Sequence, residues 1–214
     1  MTNFIPLFPL ELVSFPGEKL NLHIFEPRYK QLIGDCVAQG KPFGIIAVIN
    51  NKLMEYGTLM QVAEVKKLYE DGRMDISTRA TEVFQVLELV KELPDKLYSG
   101  AIVTYPQNEF VVNLPALQPV LRQIQQLLLM LESPKAFPKP DNELCSYDVA
   151  SMTGLSIEEA YDLLQLLRED QRVEYLRRHM QKVLPVVKEM ELLKSKIKLN
   201  GHFRELKSLG FEEE

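Results

Sequence analysis

A change of hydrophobic period near Tyr105 constrains this chain more than any other feature. Between Phe4 and Tyr105 the apolar runs are short, rich in β-branched residues and separated by turn residues, which is the pattern of strands. Beyond Tyr105 apolar residues recur at steps of three and four, the pattern of helices that bury one stripe. A chain that keeps these two patterns in separate halves segregates its sheet from its helices, an α+β organisation. The division falls between a β-rich domain, residues 1–112, and an α-helical bundle, residues 113–214.

Within the first half, Phe43 to Ile49 is a continuous apolar run between Pro42 and Asn50-Asn51 and predicts a buried strand. Leu59 to Tyr69 and Arg73 to Thr78 flank Glu70-Asp71-Gly72, a hairpin turn in which glycine accepts a positive φ at no steric cost. Thr81 to Val90 and Ser99 to Tyr105 supply further strands. One helix interrupts them. Tyr29, Leu32, Ile33, Cys36 and Val37 fall at helical spacing, Pro27 suits the first helical position, and Gly40 stands just past the end.

In the second half, Pro106 to Pro115 reads as an extended passage, and Val120 to Leu131 as a helix. Lys135 to Asp141 carries two prolines and predicts a loop. Ser156-x-x-Glu159 is a capping box that opens a helix to about Arg168. Asp170 is placed to cap the next helix, whose positions Val173, Leu176, Met180, Val183, Val187 and Met190 form a seam for a partner helix. Pro185 lies inside that seam and predicts a kink or a break; Asn200-Gly201 predicts its end.

Composition enters as a set of exclusions. With 46% apolar residues in 214, the chain is globular rather than disordered. Its formal charge of −5 argues against whole-protein binding to nucleic acid. Cys36 and Cys145 are too few for a ligand cluster and predict buried thiols in a reducing, cytoplasmic compartment. Pro6 and Pro9 interrupt any leader-like apolar stretch, and no run approaches the ~20 residues that span a bilayer, so no membrane association is expected.

Signals for catalysis are absent. Gly34 to Pro42 superficially suggests a phosphate loop, but its spacing is one residue too long and proline replaces the hydroxyl that would meet a metal. His23, His179 and His202 fall in separate elements, so no catalytic residue, metal site or cofactor is expected. Tyr147 to Leu167 has the outline of a helix-turn-helix, yet its second helix opens with Glu158, Glu159 and Asp162, which would repel phosphates. Two packed helices of a bundle explain it better. The locally basic stretch Arg168 to Lys207, partly offset by Glu212 to Glu214, reads as a solvated face with local pairs such as Glu174 with Arg177 and Arg178.

The N-terminal run carries a recognisable signature. Pro6 to Leu10, Val13-Ser-Phe-Pro-Gly17 and Leu20-Asn-Leu-His-Ile-Phe-Glu-Pro-Arg-Tyr29 resemble the opening of the N-terminal, substrate-binding domain of Lon proteases. Gly57-Thr58 and Asp71-Gly72-Arg73 match the family's later pattern; Ala80 and Val83-Phe84 depart from its usual glycine followed by Arg-Phe. Ser146-Tyr147 through Arg172 resembles, more loosely, the helices that follow. The resemblance implies a PUA-like β pseudo-barrel with one inserted helix, followed by a C-terminal α-helical bundle. It also implies polypeptide recognition without hydrolysis, since no phosphate loop or Ser-Lys peptidase module accompanies it, and so a stand-alone relative of the domain.

The expected function is therefore a non-catalytic module that binds unfolded or exposed apolar polypeptide, or a partner protein. Its candidate contacts are His23, Glu26, Arg28, Tyr29 and Arg79. Fold maintenance is the competing explanation for each signature residue: Glu26 suits a helix N-terminus, and Phe8, Phe15 and Phe25 suit a core. The alternatives are an RNA-binding PUA-like module that uses the basic stretch, and a scaffold that docks through the 173–190 seam.

Overall fold

The computed structural model describes the backbone of residues 2–208 and the side chains of residues 3–194 and 196, so that the side chain of His202 and the acidic residues 212–214 lie outside the described residues. Six strands, β1 (Thr2–Leu10), β2 (Lys19–Ile24), β3 (Phe43–Ile49), β4 (Lys52–Leu68), β5 (Met74–Val90) and β6 (Gly100–Thr104), form one sheet. Their order is β2-β5-β4-β3-β1-β6, and an additional β5–β6 pairing closes the sheet on itself. This is the expected pseudo-barrel. Closure is possible because β5 is 17 residues long: its first part pairs with β2 and β4, and its last part with β6. The two strands expected from Arg73 to Val90 are thus one, bent by register shifts along the β4–β5 ladder.

The inserted helix α1 (Pro27–Gln39) has the expected bounds, with Pro27 in its first turn and Gly40 at φ 63° closing it. Its stripe of Tyr29, Leu32, Ile33 and Cys36 packs with Phe8, Phe43, Ile45, Met60 and Ile76 in one core cluster. Phe25 does not join this core. It is 59% exposed, because the chain turns into α1 directly after Ile24, whose side chain takes the buried position.

Helices α2 (Leu114–Met130), α3 (Ser146–Ala150), α4 (Ile157–Gln165) and α5 (Glu169–Ser208) make the second half. Helix α2 starts inside the expected linker, since Asn113 caps it and Pro115 is harmless in a first turn. The Ser156–Glu159 capping box is formed in both directions. Its helix ends at Gln165, earlier than expected, and α5 begins at Glu169 rather than after Asp170. The carbonyl of Arg168 already accepts from the Arg172 N–H, and Asp170 instead pairs with Arg168. Helix α5 runs through Pro185 and through Asn200-Gly201 without a break. At Pro185 one lost hydrogen bond is offset by the packing of Val183, Leu184 and Val187 on either side of it. The seam docks within the chain: Val173, Leu176 and Met180 are buried with Leu117, Val120, Leu121 and Ile124 of α2, and only Met190 at its far end is exposed. Phe15 and Val83, from the sheet half, complete this helical core.

Candidate functional site

A groove of about 510 Å³ opens beside the N-terminal half of β1, within the range of ligand sites. Phe4, Ile5 and Pro6 form one side, the turn after α1 (Gln39, Lys41, Pro42) another, and the loop between β5 and β6 (Leu93, Pro94, Lys96, Tyr98) a third. Alternation along β1 sends Ile5 into the barrel and leaves Phe4 48% exposed, with its ring over Gly100. At Gly100 an added Cβ would come within 2.2 Å of that ring, so the glycine makes the seat.

The third wall is held rigidly. Pro94 and Asp95, the latter at φ 58°, make a tight turn closed by the Lys96 N–H on the Leu93 carbonyl. Lys96 Nζ and the Tyr98 hydroxyl both donate to Asp35 of α1, at 2.8 and 2.7 Å. Those hydrogen bonds hold the Asp35 carboxyl below the usual range. Burial, followed by the bond to Asp35, pushes the Tyr98 phenol up. Gln31 fastens the same loop, donating to the Asp95 carbonyl and accepting from the Leu97 N–H. An apolar floor between two lysines, on a preorganised frame, can hold an apolar side chain and an acidic neighbour.

The five residues nominated by the sequence do not form one site. His23 Nδ1 lies 2.6 Å from Asp75, directly opposite it on β5, and its ring contacts Phe25 and Tyr69. Bonds from His23 and Tyr69 lower the Asp75 carboxyl. Glu26 pairs with Arg28, whose guanidinium lies 4.5 Å from the Tyr29 ring centre. Tyr29 itself is buried against Phe8. Arg79 is exposed opposite Lys19, four residues along the ladder from His23 and thus ~13 Å away. None of the five lines the groove, although Arg28 and Tyr29 line a smaller hollow that shares Tyr98 with it. Sequence reasoning missed Phe4, Lys41, Lys96 and Tyr98; Pro94-Asp95 was the available turn signal for the wall.

Among the described residues no group of three His, Cys, Asp or Glu side chains is placed to hold a metal, and no helix is long and apolar enough to cross a membrane.

The profile of the ATP-dependent protease La (LON) substrate-binding domain matches residues 5–182. The chain belongs to that family. Solved structures that share its fold include two Lon N-terminal domains. The Lon N-terminal domain protein from Xanthomonas campestris is 24% identical with a TM-score of 0.65, over 82% of this chain and 98% of that one. The N-terminal domain of the Mycobacterium avium complex Lon protease is 12% identical with a TM-score of 0.62, over 85% of this chain and all of that one. Part of the sequence signature lies in the core. In this Lon-type domain Phe15 and Tyr29 are core residues, and the Thr58 hydroxyl donates to the Ser14 carbonyl at 2.6 Å, tying the segment after β1 to β4.

Proposed function

We propose that this Lon-type domain is a non-catalytic polypeptide-binding module that holds exposed apolar segments of unfolded chains in the groove beside Phe4. The observation that carries this reading is an aromatic ring half-exposed in a framed groove, in a member of a substrate-binding family. Residues 1–112 bear the binding surface in this proposal, and the helical half, residues 113–214, braces it through the packing of Phe15 and Val83 with α2 to α5. The two free, buried thiols fit a reducing, cytoplasmic setting. Of the nominated residues His23, Glu26, Arg28, Tyr29 and Arg79, only Arg28 and Tyr29 border the neighbouring hollow.

The RNA reading is disfavoured by the arginines at the start of α5, since Arg168, Arg177 and Arg178 are paired with acids and Arg172 is buried. The test is fluorescence anisotropy with labelled casein, an unfolded acidic chain. We expect saturable binding, weakened at least several-fold by Phe4→Ser. Absence of saturation up to roughly 1 mM overturns the proposal.

A further inference from the structure

The open side of the groove is an unpaired stretch of backbone. The Leu7 N–H donates to the Ser99 carbonyl one step beyond the Pro6–Gly100 pair, so the Leu7 N–H points across to the β6 side of the antiparallel ladder. Hydrogen-bonded and non-hydrogen-bonded pairs alternate in such a ladder. Ile5 and Asn3 therefore point their N–H and C=O groups at β6, and Phe4, opposite Ile102, points both of its groups away from it. On that other side β1 pairs in parallel with β3, but this pairing begins only at Leu7 opposite Gly44. Extended backwards, it would set Lys41 beside Phe4. Lys41 is not there as a strand residue: Gly40 is left-handed, the Lys41 N–H is held by the Cys36 carbonyl, and Pro42 has no N–H. The backbone donor and acceptor of Phe4 thus face the groove without a protein partner among the described residues.

The side chains around this edge specify what would fit. Phe4 and Pro94 are apolar. The Lys41 ammonium makes no hydrogen bond or ion pair among the described residues, whereas Lys96 is already committed to Asp35. On the free edge strand β2, by contrast, the exposed residues are the polar Lys19, Asn21 and His23.

We propose that the groove takes an extended, acidic and apolar polypeptide segment by strand addition, one residue of which exchanges two backbone hydrogen bonds with Phe4 while a neighbouring carboxylate meets Lys41. This rests on the polypeptide-binding reading above and specifies its mode. Main-chain bonds give affinity for any extended chain, and the lysine selects acidic ones.

The experiment uses the full chain with two probes, labelled casein and the blocked peptide Ac-Ser-Val-Glu-Val-Phe-Val-Ser-NH2. Phe4→Pro deletes the groove-facing N–H and leaves the β6 ladder intact, while Phe4→Ala deletes only the ring. Circular dichroism and the Tm of both variants verify folding. We expect Phe4→Pro to weaken the peptide at least about fivefold beyond Phe4→Ala, the value of one hydrogen bond. N-methylation of alternate peptide residues should abolish binding in one parity and leave it within about twofold in the other. Lys41→Glu should weaken this peptide and favour its Glu-to-Lys counterpart. If casein binds but proline and alanine are equivalent and parity is silent, strand addition falls and the groove reading stands. Strand addition falls in the same way if casein binds and the peptide does not. If neither probe binds, the polypeptide reading itself falls. A dimer in sedimentation that Phe4→Pro dissociates would give the edge to a second copy and overturn the proposal.

Discussion

The Arg172 guanidinium donates to the Glu169 carboxylate at 2.8 Å with both side chains buried, and the same guanidinium fastens three separate segments. It donates to the Ser146 hydroxyl of α3, to the Leu166 carbonyl between α4 and α5, and to the Asn108 side chain and Glu109 carbonyl of the passage after β6. Glu169 also accepts from the Ser146 N–H and hydroxyl, and the Tyr147 ring lies 4.1 Å from the guanidinium. This is how the extended passage from Pro106 to Asn113, which has no ladder of its own, is fixed against the bundle.

Removal of one partner from such a pair leaves the other charge buried and unpaired, which costs about 3–5 kcal/mol. Arg172→Met should therefore lower the unfolding free energy by that amount in urea titration. Adding Glu169→Gln to it neutralises the stranded carboxylate while keeping an acceptor for Ser146, and should recover part of the loss. A cost below ~1 kcal/mol for the single variant would mean that water reaches the site.

On the outer face of α5 the pH dependence has a definite sign. Hydrogen bonds from Arg177 and then Arg178 lower the Glu174 carboxyl from 4.5 to about 2. A carboxyl depressed in the folded state contributes stability above its unfolded pKa and loses it as the pH falls toward its folded value. The window is thus pH 4.5 down to about 2. Carbon-detected NMR titration should place the Glu174 midpoint at the bottom of that window, and Arg177→Ala should move it upward. Because the pair is exposed, its effect on global stability should be small and reduced by salt.

The contrast between these two arginine clusters shows what is legible in a sequence. Glu174 with Arg177 and Arg178 was readable because helical spacing alone makes neighbours of i, i+3 and i+4. Likewise Pro27, Gly40 and the Ser156–Glu159 box act within a few residues of themselves, and the helix ends they mark lie where expected. Arg172 sits in the same basic run and has the same i, i+3 spacing to Glu169, yet its other partners come from residues 108, 109, 146 and 166, and no local pattern separates it from the solvated arginines beside it. The groove was hidden for the same reason. Alternation indicates that Phe4 and Ile5 face opposite ways, but the side that is covered depends on β1 meeting β3 in parallel and β6 antiparallel.

The two cysteines should be inert in the native state. Burial, with Asp35 near Cys36 and Asp148 near Cys145, pushes each thiol up to about 11. At pH 8 about a thousandth of either is thiolate, and neither sulfur is open to a bulky reagent. An aromatic disulfide reagent should release almost no chromophore from the native chain within an hour, and two equivalents after denaturation in guanidinium. Rapid reaction of one native thiol would show that α1 or the start of α3 opens locally.

Gly57 provides the sharpest test of the barrel's packing. The Phe84 ring, fully buried, lies across Gly44 and Gly57 on the neighbouring strands β3 and β4. A Cβ at Gly57 would stand 2.5 Å from the Ile45 carbonyl oxygen and 2.5 Å from the Phe84 ring. The ring has no space to move into, and the carbonyl belongs to a paired strand, so backbone must shift. Gly57→Ala should destabilise by roughly 1–3 kcal/mol, as overpacking does. Phe84→Leu in the same chain should relieve the ring contact but leave the carbonyl contact, giving partial rescue in a double-mutant cycle. Gly34 is the internal control. It lies on the exposed face of α1, where an added Cβ would meet nothing within 4 Å, and Gly34→Ala should stabilise by about 0.5–1 kcal/mol through helix propensity alone. Opposite signs at the two glycines, measured by urea unfolding, follow from the barrel's ring-on-glycine packing; a neutral Gly57→Ala would mean that Phe84 does not sit between β3 and β4.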